Sequence, residues 1–477
     1  MATSTEWVVP LLSRATYGPT PYYVSLAKQA SSQAAWLEQQ LAPAKMADPE
    51  GDAVRALYPE LGWGVSKAKA ELEEFGWDGM FALGQATIAL AAMSRRQVYE
   101  KMVELFSNHL NVTNPSDSVW ATRMSYDKFV IRPYALGRFS DMLVASATHP
   151  AMLTYLNQAD STKDHPNENY GRELLELHTV GIDAGYTEDE VLASARIMTG
   201  WTVDDDSGLA VYRPEDHWTG PVKVLGFSHA NSDPDGRAVA TAYLRYLASH
   251  PLTARRIAKK VCTKFVGDSF PTALMDTLAQ YYLGAGTDIR PVIRRLFHTN
   301  EWRSGVKLKT PYEDVVSTVR VLGIKPLTTG STDDRRSGFQ ALYWLLQDLR
   351  NAPLGWEPPN GYPDVATSWQ AADIALGRWN LHQSLAAAWW PNRDMLSIPQ
   401  SRALLPATLP TTYGALVDAL CDRLLFRRLD AASRNAVLAF CDATATKALP
   451  KDGEWVGWRL PYLVALLLDS PTFASRS

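Results

Sequence analysis

Apolar residues recur at three- and four-residue spacing along most of the chain, the periodicity of helices with one buried face. The segments that carry it lie near 20–41, 66–108, 126–148, 168–180, 187–199, 237–249, 252–266, 271–284, 289–298, 311–323, 338–349, 370–389, 412–427, 431–446 and 458–468. Strand signals are confined to 201–227, where Trp-Thr-Val, Leu-Ala-Val-Tyr and Lys-Val-Leu-Gly-Phe are separated by Asp- and Gly-rich turns. The pattern predicts a mainly α protein, a large multi-helix globular body with a small β-hairpin insertion near 201–227. Pro and Gly punctuate two loops, 160–166 and 353–363. The second reads Pro-Leu-Gly-Trp-Glu-Pro-Pro-Asn-Gly-Tyr-Pro and cannot be helical. With Trp356, Tyr362, Trp369 and Trp379 in or just after it, this loop is expected either to cover the body or to be a long connection pinned by its aromatics. A helix followed by a polar pair and an aromatic occurs twice, at 293–304 and at 464–475. That echo supports a boundary near 305, with a main helical domain over 1–305 and a C-terminal helical lobe over 306–477 packed on it.

The densest run of chemistry is Asn167-Glu168-Asn169-Tyr170-Gly171-Arg172-Glu173-Leu174-Leu175-Glu176-Leu177-His178, followed by Ala195-Arg196-Ile197-Met198-Thr199-Gly200-Trp201. At about 100° per residue, Asn169, Arg172, Glu173 and Glu176 share roughly one third of a helix circumference, opposite Tyr170, Leu174, Leu175 and Leu177. A solvated face would be filled with Lys and Glu rather than amides and arginine. The simpler alternative is that Asn167 or Asn169 is a plain helix cap.

Three readings of this cluster follow. In the first, the protein is a metal-assisted enzyme for hydrolysis or oxidation: candidate ligands are His109, Glu173, Glu176, His178 and His217, of which His109, Glu173 and Glu176 are taken to hold a divalent transition metal, a mixture of imidazole and carboxylate suited to zinc, manganese or iron. Glu173 and Glu176 reach one side of the helix, whereas His178 falls about 140° round from Glu173 and reads as a core histidine. In the second, Glu173 and Glu176 act as acid and base without a metal, and Arg172, Arg196 and Lys223 hold an anionic or glycan ligand. In the third, Arg172 and Arg196 pair with Glu173 or Glu176 in a closed, dry network, and the protein is a non-catalytic helical partner. The candidate catalytic residues are therefore Glu173, Glu176, Arg172 and His109. The candidate substrate-binding residues are Asn108, Asn167, Asn169, Arg196, Trp201, His217 and Lys223, with His217 either a general base or merely exposed. The Glu-x-x-His pair of di-iron bundles, His-Glu-x-x-His, the Gly-x-Ser-x-Gly elbow and the phosphate loop are all absent from the sequence.

Composition narrows the setting. Apolar residues make up 46 %, with 16 Trp and 20 Tyr, enough to build a substantial core. A formal net charge of −4 with interspersed signs argues against nucleic acid as a partner. No apolar run approaches the roughly 20 residues needed to span a bilayer, and the N-terminus carries neither a basic start plus apolar core nor a twin arginine, so a cytoplasmic protein is expected. Cys262, Cys421 and Cys441 are widely spaced and read as buried free thiols.

Several strings occur together and in order: Leu11-Leu12-Ser13-Arg14-Ala15-Thr16-Tyr17-Gly18, Ser107-Asn108-His109-Leu110, Ile131-Arg132-Pro133-Tyr134-Ala135-Leu136-Gly137, His149-Pro150-Ala151-Met152-Leu153, the Asn167 to His178 run, Thr199-Gly200-Trp201 and Lys223-Val224-Leu225-Gly226. In this the chain resembles the DUF1800 family of bacterial proteins over nearly its whole length. The resemblance implies no established reaction. It implies a context in which many relatives look exported and are often encoded beside proteins resembling alkaline-phosphatase-fold sulfatases, so that a protein partner of that kind at the envelope is an expectation. This chain departs from that pattern in its N-terminus, and also at Gly355-Trp356, where many relatives carry Gly-Gln.

Overall fold

Local capping chemistry decides where the first long periodic segment breaks. Thr20 and Ser32 each accept a backbone N–H three residues on, so the 20–41 segment forms two helices, Pro21–Ala27 and Gln33–Gln40. The 66–108 segment divides into Val65–Glu71, Asp78–Met93 and Gln97–His109, none of them with a side-chain N-cap. Its last break is stabilised from outside: the buried Asp48 carboxylate accepts from Ser94 Oγ at 2.8 Å and from the Arg95 N–H at 2.7 Å. The computed structural model describes residues 5–476. Helix accounts for 59 % of the chain, and the strands among the described residues form only two-stranded antiparallel pairs. The molecule is thus mainly α. The β insertion is a pair of hairpins, Trp201–Val203 with Ala210–Tyr212 and Val222–Val224 with Phe227–His229.

Two buried apolar clusters organise the packing. The first draws on residues between Val8 and Trp302, joined by Leu354. The second combines Tyr312 through Phe473 with Tyr17, the Pro49–Leu57 helix and most of the inner face of Asp78–Met93. Asp78–Met93 serves both clusters, since Met80 and Leu83 pack into the first and Ala86, Ile88 and Ala89 into the second. The echo noted in the sequence has a structural counterpart. The helix Ile289–Phe297 leads through Glu301–Ser304 into the strand Lys307–Leu308, and Leu460–Leu468 leads through Pro471–Ala474 into Ser475–Arg476. These two strands pair with each other, tying the end of the chain to the start of the second cluster.

One element departs from the helical-wheel expectation. After Glu168–Glu173, residues Leu174–His178 wind as a π-helix. More residues per turn shift the side chains relative to an α wheel, and Leu177 is half-buried rather than part of the inner arc with Tyr170, Leu174 and Leu175. A second π segment, Asp127–Ile131, lies beside the cavity described next. No helix among the described residues is long and apolar enough to cross a membrane. The three cysteines are buried and unpaired.

Candidate functional site

Where the two apolar clusters meet, the protein encloses a cavity of about 420 Å³, within the range of small-molecule sites. Three elements wall it: the helix Gln97–His109, the helix Pro251–Phe265 and the loop 351–365.

The loop is held down as a cover. Asn111 Nδ2 donates to the carbonyls of Trp356 at 2.8 Å and Pro358 at 2.9 Å, and Tyr155 donates to the Glu357 carbonyl. Gly361, at φ +69°, lies so close to the end of Gln97–His109 that a Cβ there would sit 1.9 Å from the Asn108 carbonyl oxygen. Trp356, Tyr362 and Trp369 pack in series with ring centroids 5.1 and 6.0 Å apart. Trp379 is not part of this cluster; it lies half-exposed on the helix Ala372–Ala387.

The deep end is a network of charges. Lys264 Nζ lies 2.6 Å from Glu104, 3.0 Å from Glu313 and 3.7 Å from Asp364. Glu313 also meets Lys101 at 2.7 Å and Arg476 at 3.2 Å, while Lys307 meets Asp364 at 2.9 Å and Asp268 at 3.0 Å. Tyr17 donates its hydroxyl to Glu104 at 2.8 Å. Burial alone pushes the Glu313 carboxyl up, but Arg476, Lys101 and Lys264 hold it well below the usual range. Four cations face four carboxylates, and burial, then Arg476, brings the Lys101 amine down to about 7 against the pull of Glu313. Glu313 Oε2, Asp364 Oδ1 and the Arg476 guanidinium nitrogens have no hydrogen-bond partner among the described residues.

The outer end is different. Arg256, Lys259 and Lys260 line the cavity, and none of the three forms an ion pair or hydrogen bond among the described residues. Arg256, Lys260 and Lys264 follow at four-residue spacing and so share one helix face. The Arg256 Nε is buried without an acceptor, and the guanidinium occupies the space a side chain at Gly181 would need, its Nη1 being 3.0 Å from where that Cβ would stand. Burial, then Arg256, brings the Lys260 amine down to about 8 against the pull of Asp364. Facing this wall, Ser107 presents a buried hydroxyl with no partner, and Asn108 and Asn360 also line the cavity.

Of the residues singled out from sequence, Asn108 lies on the cavity wall, and His109 sits directly behind it. His109 Nε2 donates to the His178 carbonyl at 3.1 Å, and its Nδ1 and the His178 Nε2 are buried without partners. Burial, reinforced by Lys260 and Arg256, holds His109 well below the ordinary imidazole range and His178 at about 3, so both are neutral. Glu176 acts electrostatically on Arg256 and accepts from the Tyr186 hydroxyl at 3.4 Å. The Glu173 carboxyl is raised by partial burial and by Glu176.

The remaining candidates lie off the cavity. Asn167 caps the Glu168–Glu173 helix, accepting from the Tyr170 N–H at 3.1 Å and donating to the Leu156 carbonyl at 2.9 Å, and Asn169 is exposed. Arg172 pairs with Glu188 at the surface, and Arg196 stacks 4.6 Å over Trp218. The expected pairing of these arginines with Glu173 or Glu176 is therefore not formed: Glu188 and the Trp218 ring lie nearer to them. Trp201 packs edge-on against Tyr212, and Lys223 is exposed on its hairpin. His217 is neither exposed nor free. Its ring nitrogens lie 3.0 Å from the Thr199 carbonyl and 2.9 Å from Asn231 Oδ1, and the chain passes so close at Gly236 that a Cβ would overlap the ring.

No group of three or more His, Cys, Asp or Glu side chains among the described residues is placed to hold a metal ion. The trio His109, Glu173 and Glu176 does not assemble into such a group, because His109 is turned into the core against Phe106 and Phe139. The cationic wall is what sequence reasoning missed. Its signal was present as Arg256, Lys260 and Lys264 at four-residue spacing, beside the more ordinary-looking Arg255 and Lys259.

No curated protein and no solved structure matches the chain. A family model does, over residues 10–475 of the 477, under the description protein of unknown function. On that coverage the chain belongs to the DUF1800 family.

Proposed function

We propose that this protein binds a small anionic molecule in the cavity between its two apolar clusters. The observation that carries the reading is the outer wall: Arg256 and Lys260, one turn apart on one helix, partly withdrawn from water and in no ion pair among the described residues, with the exposed Lys259 beside them. Holding unpaired cations out of water costs stability. A phosphate, sulfate or carboxylate supplies the missing charge and the acceptors for a guanidinium and two ammonium groups. Ser107, Asn108 and Asn360 offer hydrogen bonds to the neutral part of such a ligand, and Trp356 and Tyr362 offer aromatic faces. The deep network is the rigid floor of this site, with each of its cations already facing a carboxylate. Asn108 is the one ligand contact among the candidate site residues read from sequence, and Glu176 acts on Arg256 only electrostatically.

Calorimetric titration with orthophosphate, sulfate, a small dicarboxylate and a hexose phosphate tests the reading. At least one is expected to bind saturably, and Arg256→Gln is expected to weaken it by about tenfold or more, the loss of one charge-assisted contact. No heat with any of the four, or an unchanged affinity in the variant, contradicts it.

A further inference from the structure

We infer that Lys260 is a carbonyl-reactive amine, forming an imine with an aldehyde or ketone group carried by the anion this cavity takes; the inference rests on the anion-site reading above. Three lysines line the cavity, and they differ in kind. Lys264 is locked by Glu104, Glu313 and Asp364. Lys259 is exposed to water. Only Lys260 is half-buried and unpaired among the described residues, and Arg256 stands one turn before it on the same face. Desolvation together with a neighbouring cation is the arrangement that keeps a lysine amine free to act as a nucleophile, and the amine titrates at about 8 here, so part of it is unprotonated at neutral pH.

The geometry divides the labour along one helix. Arg256 and Lys259 hold the anionic end of the ligand, and Lys260 Nζ meets its carbonyl carbon. The nitrogen lone pair forms the C–N bond while the carbonyl π pair moves to oxygen. A proton passes from nitrogen to that oxygen, giving a carbinolamine. The nitrogen lone pair then expels the hydroxyl, which leaves with one further proton as water, and the resulting iminium returns a proton to solvent. The sum is amine plus carbonyl giving imine plus water, with no oxidant or reductant. Trp356 and Tyr362 line the same cavity and supply faces for a planar conjugated product.

Pyridoxal 5′-phosphate, which carries both an aldehyde and a phosphate, is the probe. The full chain is incubated with it, the imine is reduced with borohydride to a stable secondary amine, and the adducts are located by peptide mass mapping. The expected result is a dominant adduct on Lys260, suppressed by orthophosphate, about tenfold weaker with pyridoxal lacking the phosphate, and lost in Lys260→Arg. Adducts spread over exposed lysines, including Lys259, with no excess at Lys260 overturn the inference; the wild-type map alone decides this, whether or not the variant folds. Orthophosphate heat measured on the same preparation separates the two readings. Binding heat without a Lys260 adduct overturns the imine and leaves the anion site standing. An adduct indifferent to orthophosphate, with no binding heat, overturns the anion site and with it this inference.

Discussion

Lys260 and Lys264 lie one helical turn apart and line the same cavity, yet their surroundings are opposite. Lys264 meets three carboxylates and is held above the ordinary lysine range despite its burial, whereas Lys260 meets none and is brought below it. The first belongs to a network in which every cation meets a carboxylate; the second belongs to a wall in which none does among the described residues. A buried charge network alone is therefore a poor marker of function, because this one already gives each of its cations a carboxylate. The informative feature is the cation whose partner is missing.

The largest effect is expected in the paired network at the deep end of the cavity. Glu313→Gln leaves Lys101, Lys264 and Arg476 without their shared counter-ion, and removal of one member of a buried ion-pair set costs on the order of 3–5 kcal/mol. Chemical denaturation should show that loss, and a change under about 1 kcal/mol would mean the network is not the floor of the site. Next in size is acid lability. His178 is neutral in the folded protein, with a folded value near 3 against the ordinary 6.5, and His109 is depressed in the same direction. The unfolded chain therefore binds the extra protons below about pH 6.5, and stability falls as pH falls through that window toward 3. Between pH 6.5 and 5 the loss from His178 should be about 1.6 kcal/mol, with a further loss of the same sign from His109. A flat melting temperature over that interval would show that these rings are not the neutral core of the cavity wall.

Smaller effects sharpen the incomplete end. Lys260→Met removes a cation that the fold disfavours and should raise stability by about 1 kcal/mol at pH 7, after allowance for the part of the ammonium that water reaches. The same variant should lose affinity for anions, so that stability and binding move in opposite directions; a destabilised variant would place Lys260 in a paired environment instead. Arg172→Ala should be nearly silent, within about 0.5 kcal/mol, because its partner Glu188 is exposed. If that substitution abolished anion binding, the site would move back to the Asn167–His178 run.

The fold was legible in outline because hydrophobic period reports burial directly. The β insertion, the non-helical loop at 353–363 and the echo at 293–304 and 464–475 were visible in the chain; a second hairpin reaching His229, and the strand pairs joining 307–308 to 475–476 and 325–326 to 396–397, were not. Of the candidate site residues read from sequence, Asn108 lines the proposed cavity and His109 is its chain neighbour; the rest of the wall was not legible, for two physical reasons. The first is that polarity draws attention wherever it is dense, while capping and surface pairing use the same residue types: Asn167 is a cap and Arg172 a surface partner of Glu188. The second is that Arg255-Arg256 and Lys259-Lys260 look alike as pairs. Tertiary packing alone sends Arg255 toward Asp276 and Arg256 into the cavity. The π segment at Leu174–His178 adds to this, since an α wheel misplaces the side chains it carries.

The most direct test of the incomplete wall is to see an anion on it. Crystals of the full protein soaked in tungstate, a phosphate-like ion with strong anomalous scattering, should show a peak in contact with Arg256, Lys259 and Lys260, absent from crystals of Arg256→Gln. Tungstate found only at molecular surfaces, or a cavity peak that survives in the variant, would contradict the account.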